Sequence, residues 1–113
     1  MEASAAAAAL AALGHEPRLN VFRLLVRAGP EGMAAGDIAR ATGVVQNTLS
    51  YYLSSLAQAG LVASRRAGRS LIYSADYAGI GGLLAFLVED CCQGDVALCG
   101  AALAKIGQIS GCC

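Results

Sequence analysis

Cysteine is absent from the first ninety residues of this 113-residue chain, and all five cysteines fall in its last fifth. They are Cys91, Cys92, Cys99, Cys112 and Cys113. Buried structural cysteines are ordinarily scattered through a core, so this clustering indicates a thiol site in a tail added to a finished domain. The odd count and the lack of a convincing secretion signal argue against a disulfide framework and predict free thiols in a reducing cytoplasm.

Long apolar runs and histidine are also scarce. The longest apolar stretch, Ile80 to Val88, is far shorter than the roughly 20 residues that cross a bilayer, so we expect no membrane association. A catalytic thiol needs a base beside it, and the single histidine, His15, is distant in sequence from every cysteine. No glycine motif that would cradle a phosphate is present either. The sequence therefore argues against an enzyme and predicts neither catalytic residues nor an organic cofactor.

Acidic residues are missing from the middle of the chain, between Asp37 and Asp76. Four arginines fall inside that window: Arg40, Arg65, Arg66 and Arg69. The formal net charge of the whole chain is zero, so the distribution of charge is more informative than its sum. A basic middle segment suits a surface that faces the phosphates of a nucleic acid.

The spacing of apolar residues predicts a mainly α protein with a β-hairpin, in the order α-α-α-α-β-β-α. The helices are expected at about 3–13, 17–28, 35–41, 45–59 and 77–89, and the strands at 61–66 and 70–74. A short helix, a tight turn at Gly43 and a second helix form a helix-turn-helix, and the hairpin that follows makes it a winged one. We expect one domain over 1–113, with a cysteine-bearing tail at 91–113.

The second helix of this motif offers short polar side chains at its N-terminal end, where the base edges of DNA come within reach. These side chains are Gln46, Asn47, Thr48, Ser50, Tyr51, Ser54 and Ser55. Gln and Asn can pair with adenine through two hydrogen bonds, whereas hydroxyl groups reach phosphates or bases. The wing adds Arg65, Arg66 and Arg69 for contact with the DNA backbone or the minor groove. Two alternatives remain: an ordinary solvated helix face, or a winged helix that binds protein.

Several segments carry a specific resemblance. They are Pro17-Arg18-Leu19, Asp37-Ile38-Ala39, Gln46 to Leu53, Ala59-Gly60-Leu61-Val62, Arg66 to Arg69, and Ile72-Tyr73. Over about residues 10–90 the chain resembles the ArsR/SmtB family of homodimeric winged-helix repressors, which leave DNA when a metal or metalloid binds. The chain departs from the family at Val45, where Ser is usual, so the cap of the recognition helix is expected elsewhere. It also has Tyr51-Tyr52 where two His are common, which predicts a different base preference.

The resemblance implies a homodimer whose interface is formed by the first and last helices. The residues expected in that interface are Leu10, Leu13, Leu83, Leu84 and Leu87. Two recognition helices would then contact half-sites of an imperfect palindrome in double-stranded operator DNA, about one helical turn apart or a multiple of that.

The family holds its ligands at several positions, and the residues of this chain narrow the choice. The best-known arsenic type has a Cys-Val-Cys segment where this chain has Met33 to Asp37, without a thiol, and the zinc type needs histidines that are missing here. Some arsenic repressors of the family look similar to this chain, with two adjacent cysteines and a third a few residues later, near the end of the last helix. Three thiolates suit the pyramidal coordination of trivalent arsenic or antimony better than tetrahedral zinc. The expected ligands are Cys91, Cys92 and Cys99, with Cys112 and Cys113 accessory or idle.

Ligand binding is expected to act on the last helix. Adjacent residues on a helix point about 100° apart, so Cys91 and Cys92 can approach one centre only if the helix end is remodelled. Such a change at a dimer interface would shift the recognition helices and release DNA. Alternatives that the residues leave open are another soft metal (cadmium, lead or bismuth), a thiol oxidant or sulfide, and ordinary core cysteines. The site can lie within one chain or span the dimer.

Overall fold

The computed structural model of this protein describes residues 1–88. Within them the elements are α1 (Ala3–Leu13), α2 (Glu16–Ala28), β1 (Met33–Ala34), α3 (Ala35–Thr42), α4 (Gln46–Gln58), β2 (Val62–Ala67), β3 (Ser70–Ala75) and α5 (Tyr77–Val88). The predicted winged helix-turn-helix, with its four helices, hairpin and last helix, is confirmed. The predicted tail at 91–113 and all five cysteines lie outside the described residues.

The wing is broader than the sequence predicts, because it contains a third strand. The short β1 pairs antiparallel with β3, which makes β3 the central strand in the order β1-β3-β2. The pairing of β2 with β3 runs from Val62 opposite Ala75 to Ala67 opposite Ser70, which leaves a two-residue loop at the tip. A strand of two residues has no alternation to detect, so the sequence pattern could not predict β1.

The core is built around one face of α4. Leu49, Leu53 and Leu56 of this helix are buried, as their helical spacing predicts. They belong to one cluster with Ile38 of α3, three residues of α2, and Leu61 and Val62 at the start of the wing. The buried positions of α1 in this cluster are all alanines, Ala6, Ala9 and Ala12, and Leu13 packs against its edge. These alanines let α1 lie close to its neighbours α2, α4 and α5.

The turn between α3 and α4 is held by a threonine and a glycine. The Thr42 hydroxyl donates to the Ile38 carbonyl at 2.8 Å and accepts from the Val44 N–H at 3.3 Å. Gly43 has the left-handed backbone (φ 75°) that ends α3, as the sequence predicts. Val44 is half-buried and packs against the core cluster, so the start of α4 is fixed from the inside.

The C-terminal end of α4 is closed by two backbone hydrogen bonds around Gly60. The Gly60 N–H donates to the Ala57 carbonyl and the Leu61 N–H to the Leu56 carbonyl, each at 3.0 Å. Gly60 adopts φ 78°, and the flanking leucines are buried, which together make a Schellman motif. This motif satisfies carbonyls at the helix end and sends the chain directly into β2.

The start of α5 rests on this same turn. The Asp76 N–H donates to the Leu61 carbonyl at 2.9 Å, and the Asp76 carboxylate accepts from the Gly79 N–H at 3.0 Å, which caps α5. A Cβ atom at Gly79 would lie 1.8 Å from the Gly60 carbonyl oxygen. Only glycine fits at this position, so the backbones of α5 and of the end of α4 are in direct contact.

Among residues 1–88, no helix is both long enough and apolar enough to cross a lipid bilayer.

The contact between α5 and α4 predicts opposite effects for two glycines of the same helix. Gly79→Ala forces a methyl group into the Gly60 carbonyl and should lower the free energy of unfolding by about 1–3 kcal/mol. Gly81→Ala adds its methyl group where no atom lies within 4 Å, and it should leave stability unchanged or raise it by up to about 1 kcal/mol. Urea unfolding at one protomer concentration measures the free energy of unfolding of both variants. Equal values would show that Gly79 is not in close contact with the Gly60 carbonyl.

Candidate nucleic-acid interface

The outward face of α4 carries the polar residues that the sequence singles out. At 100° per residue, Asn47, Tyr51 and Ser54 point away from the buried leucine face, Ser50 lies beside them, and Gln46 is the first residue of the helix. All five are exposed, and the Tyr51 side chain is 65% exposed. The N-terminal half of α4 therefore presents amide, hydroxyl and phenol groups to the solvent along one continuous surface.

Two of the predicted polar residues differ from the rest. Thr48 and Ser55 are half-buried, whereas the other five are exposed, because Thr48 and Ser55 lie on the side of the helix, between its buried and exposed faces. Ser55 lines a cleft between α4 and α1 together with Arg18 and Gln58. Ser55 thus lies apart from the exposed row on the N-terminal half, and Thr48 contributes only part of its surface to that row.

The two adjacent tyrosines of α4 have different environments. Tyr52 is half-buried. The His15 ring lies edge-on to the Tyr52 ring, with 5.4 Å between the two centroids, and the Arg18 guanidinium carbon lies 5.9 Å from the Tyr52 ring centroid. Tyr51 lies on the exposed side, 6.4 Å from Tyr52 between ring centroids. Tyr52 therefore holds α4 against the corner between α1 and α2, and Tyr51 is free for contact with a partner.

Arg18 connects three helices at this corner. From α2, its Nε donates to the Ala12 carbonyl at 2.6 Å and its Nη2 to the Ala11 carbonyl at 3.3 Å, which satisfies the C-terminal carbonyls of α1. The same side chain lies over Tyr52 of α4. His15 is the N-cap residue of α2, and nothing in the local sequence indicates its contact, or that of Arg18, with the recognition helix.

The wing exposes its three arginines unequally. Arg65, Arg66 and Arg69 are all exposed, but the Arg65 Nη2 donates to the Glu31 backbone carbonyl at 2.7 Å. Arg65 therefore ties β2 to the loop before β1. Within residues 1–88, no hydrogen bond or ion pair involves the side chains of Arg66 and Arg69. Arg65 and Arg66 are successive residues of a strand, so they point to opposite faces of the wing.

One of the four arginines in the acid-free window has its charge partly neutralised. Arg40 forms an exposed ion pair with Asp37, three residues earlier on α3. The net positive charge of the basic middle segment is therefore concentrated on the wing.

The N-terminal end of α4 has no side-chain cap. Val45 is the N-cap residue, and no side chain among residues 1–88 donates or accepts in its place. The expectation that the cap of this helix comes from elsewhere stays a prediction. The Thr42 hydroxyl instead holds the preceding turn.

The residues predicted for a dimer interface fall into two groups. Leu10 of α1 and Leu84 and Leu87 of α5 are 44%, 48% and 50% exposed. Leu13 is half-buried, whereas Leu83 is only 4% exposed and packs into the core of its own chain. Leu83 therefore has little exposed surface with which to contact a second protomer, and it attaches α5 to the core of its own chain.

Comparison with known proteins identifies the family. A family model described as a helix-turn-helix domain matches residues 13–65. The transcriptional regulator YgaV of Escherichia coli is 32% identical over 94 residues, which cover 81% of this chain and 93% of that protein. An ArsR-like transcriptional regulator from Rhodococcus sp. RHA1 superimposes with a TM-score of 0.71 at 26% identity, covering 97% of this chain and 96% of that chain. The chain belongs to the ArsR/SmtB family.

A further relative of the ArsR/SmtB family bears on assembly. The homodimeric winged helix-turn-helix DNA-binding domain of Mb0332 from Mycobacterium bovis is 30% identical, with a TM-score of 0.61 over 77% of this chain and 81% of that chain. ArsR/SmtB proteins are DNA-binding transcriptional regulators, so the prediction of a regulator and not an enzyme is confirmed. Among the described residues, no three His, Cys, Asp or Glu side chains come together in a group that could hold a metal ion.

The Arg18 contacts lead to a stability prediction. Arg18→Ala removes the hydrogen bonds to the end of α1 and the contact with Tyr52, and it should lower the free energy of unfolding by about 1–2 kcal/mol. Arg23→Ala, on an exposed position of the same helix, is the matched control and should change it by less than about 0.5 kcal/mol. Urea midpoints of the two variants measure the difference, and similar midpoints would show that Arg18 does not hold α1 to α4.

Proposed function

We propose that this regulator is a homodimeric repressor that leaves its operator when trivalent arsenic, or antimony, binds Cys91, Cys92 and Cys99. The observation that carries the DNA-binding part is the exposed face at the N-terminal half of α4. It presents Gln46 and Asn47 at the end of a helix whose opposite face is locked into the core.

The shape of the motif suits the major groove. An α-helix with its side chains is about 10–12 Å across, and the major groove is about 12 Å wide. With the N-terminal end of α4 in the groove, Gln46 and Asn47 meet base edges, and their amides match the donor and acceptor pair of adenine. The exposed arginines of the wing, above all Arg66 and Arg69, then contact phosphates beside that groove.

The apolar surface shared by α1 and α5 supports the proposed homodimer. Leu10, Leu84 and Leu87 each leave close to half of their surface in water, and α1 packs directly against α5. Burying this surface against a second copy removes it from water, which favours association. The homodimeric Mb0332 domain, similar over most of this fold, supports the same arrangement. Two copies of α4 would then read an imperfect palindrome.

The ligand is inferred from the chemistry of the available donors. Three thiolates bind soft trivalent arsenic or antimony in preference to hard cations, and this chain supplies thiols only in its tail. Bound there, the metalloid would be the inducer and not a catalytic cofactor. Cys112 and Cys113 are assigned an accessory role or none.

The described residues offer a route from the tail to the recognition helix. Cys91 follows Val88, the last residue of α5, by three positions in the sequence. At its other end, α5 touches the turn that ends α4, through Gly79 and the Gly60 carbonyl. A change in the direction of α5 would press on that carbonyl and tilt α4. A coupling of about 1–3 kcal/mol, the usual range for allosteric proteins, reduces DNA affinity by about 5- to 150-fold.

The alternative proposal is that the chain is the same DNA-binding repressor but responds to a different inducer. Adjacent thiols also respond to cadmium, lead and bismuth, and to oxidants or sulfide. An operator-release assay with each of these inducers distinguishes them directly.

A salt titration tests the contact of the wing with phosphates. Arg66→Ala and Arg69→Ala should each lower the magnitude of the slope of log affinity against log salt concentration by about 2, because each removes one phosphate contact from both protomers of the dimer. Asn47→Ala should instead weaken binding to the operator more than to unrelated DNA and leave the slope unchanged. Fluorescence anisotropy with a labelled duplex measures both quantities. An unchanged slope in both arginine variants would show that the wing arginines do not contact DNA phosphates.

An operator-release assay tests the ligand site. Arsenite and antimonite should release wild-type protein from a duplex of its own upstream region, but not a variant with Ser at Cys91, Cys92 and Cys99. A variant with Ser at Cys112 and Cys113 is the matched control and should respond like the wild type. Release of the triple variant by arsenite would refute the site. Release of the wild type by cadmium or peroxide alone would favour the alternative proposal.

A further inference from the structure

Val45 is the most exposed large apolar side chain among residues 1–88. It is 68% exposed, ahead of Tyr51 at 65%, and both belong to the recognition helix or its first turn. Its neighbour Val44, of identical chemistry, is half-buried and packs against the core. The turn between α3 and α4 therefore directs one valine inward and the next one outward, ahead of Gln46.

Neither packing nor helix stability accounts for a valine at this position. Val45 is the N-cap residue, where valine is among the least favourable choices and Ser, Thr, Asp or Asn among the best. Its backbone is fixed, because its carbonyl accepts the Leu49 N–H at 2.9 Å. The side chain thus projects from a rigid point without contributing to the core or to the cap.

Resting on the DNA-binding function proposed above, we propose that Val45 is a specificity residue that reads the 5-methyl group of a thymine. Thymine is the only base with an apolar group on its major-groove edge, and apolar side chains contact it directly. The N-terminal residues of a recognition helix are those that reach base edges. Val45 immediately precedes Gln46 and Asn47, so an apolar contact to thymine lies beside amide contacts to adenine, and the half-site contains A·T pairs at this point.

Deoxyuridine, which is thymidine without the 5-methyl group of its base, tests this proposal. A consensus duplex is first selected from a random DNA library with the full chain, and each thymine of a half-site is then replaced in turn by deoxyuridine. Wild-type protein should lose about 4-fold in affinity per half-site at one thymine position, the effect of one buried methyl group. Val45→Ala and Val45→Ser should bind the thymine duplex more weakly and no longer distinguish it from the deoxyuridine duplex at that position.

Two controls separate base reading from folding. Val45→Ser introduces a preferred N-cap residue, so its thermal stability should equal or exceed that of the wild type while discrimination is lost. Val44→Ala should lower thermal stability and retain the wild-type ratio of thymine to deoxyuridine affinities. A Val45→Ser protein that keeps the ratio overturns the inference, and so does a wild type that is insensitive to every deoxyuridine replacement. A wild type that selects no DNA sequence overturns the proposed function itself.

Discussion

The Gly60 carbonyl touches the backbone of Gly79, and the rest of the fold is arranged around this contact. At this one turn the recognition helix ends, the wing begins at Val62, and α5 starts under the cap of Asp76. Three elements that carry different parts of the proposed function therefore share a few backbone atoms. Backbone contacts deform much less than side-chain contacts, so the relative positions of α4, the wing and α5 are tightly coupled.

The recognition helix is held on every side except the one that faces outward. Leu49, Leu53 and Leu56 fix its inner face, and Tyr52 fixes one edge through His15 and Arg18. The Schellman motif fixes its C-terminal end. The exposed side of α4, from Val45 through Ser54, carries the residues of the candidate interface. A rigid helix favours base recognition, because a mobile helix would have to be ordered on binding, and the lost conformational entropy would weaken the affinity for DNA.

Features set by neighbouring residues could be predicted from the sequence, and contacts between distant segments could not. The helix at Ala3–Leu13 and the end of α4 before Gly60 follow from local spacing and from glycine. The bond from Arg65 to Glu31 joins residues 34 positions apart and has no local signal. The apolar pattern of α5 extends around most of the helix, so it could not distinguish the buried Leu83 from the exposed Leu84. The sequence shows that Val45 replaces the usual N-cap serine. It does not show that the Val45 side chain is exposed, because that depends on the conformation of the preceding turn.

In the proposed switch, the geometry of α4 would turn a small change at α5 into a large displacement at the end that contacts DNA. The helix has 13 residues and is about 20 Å long, and its C-terminal end is the one in contact with α5. A tilt of about 5° around that end moves the opposite end by nearly 2 Å, which exceeds the tolerance of a hydrogen bond to a base edge. The side chains of Val45, Gln46 and Asn47 lie at that moving end. In the proposed switch, specificity and release therefore depend on the two ends of one rigid helix.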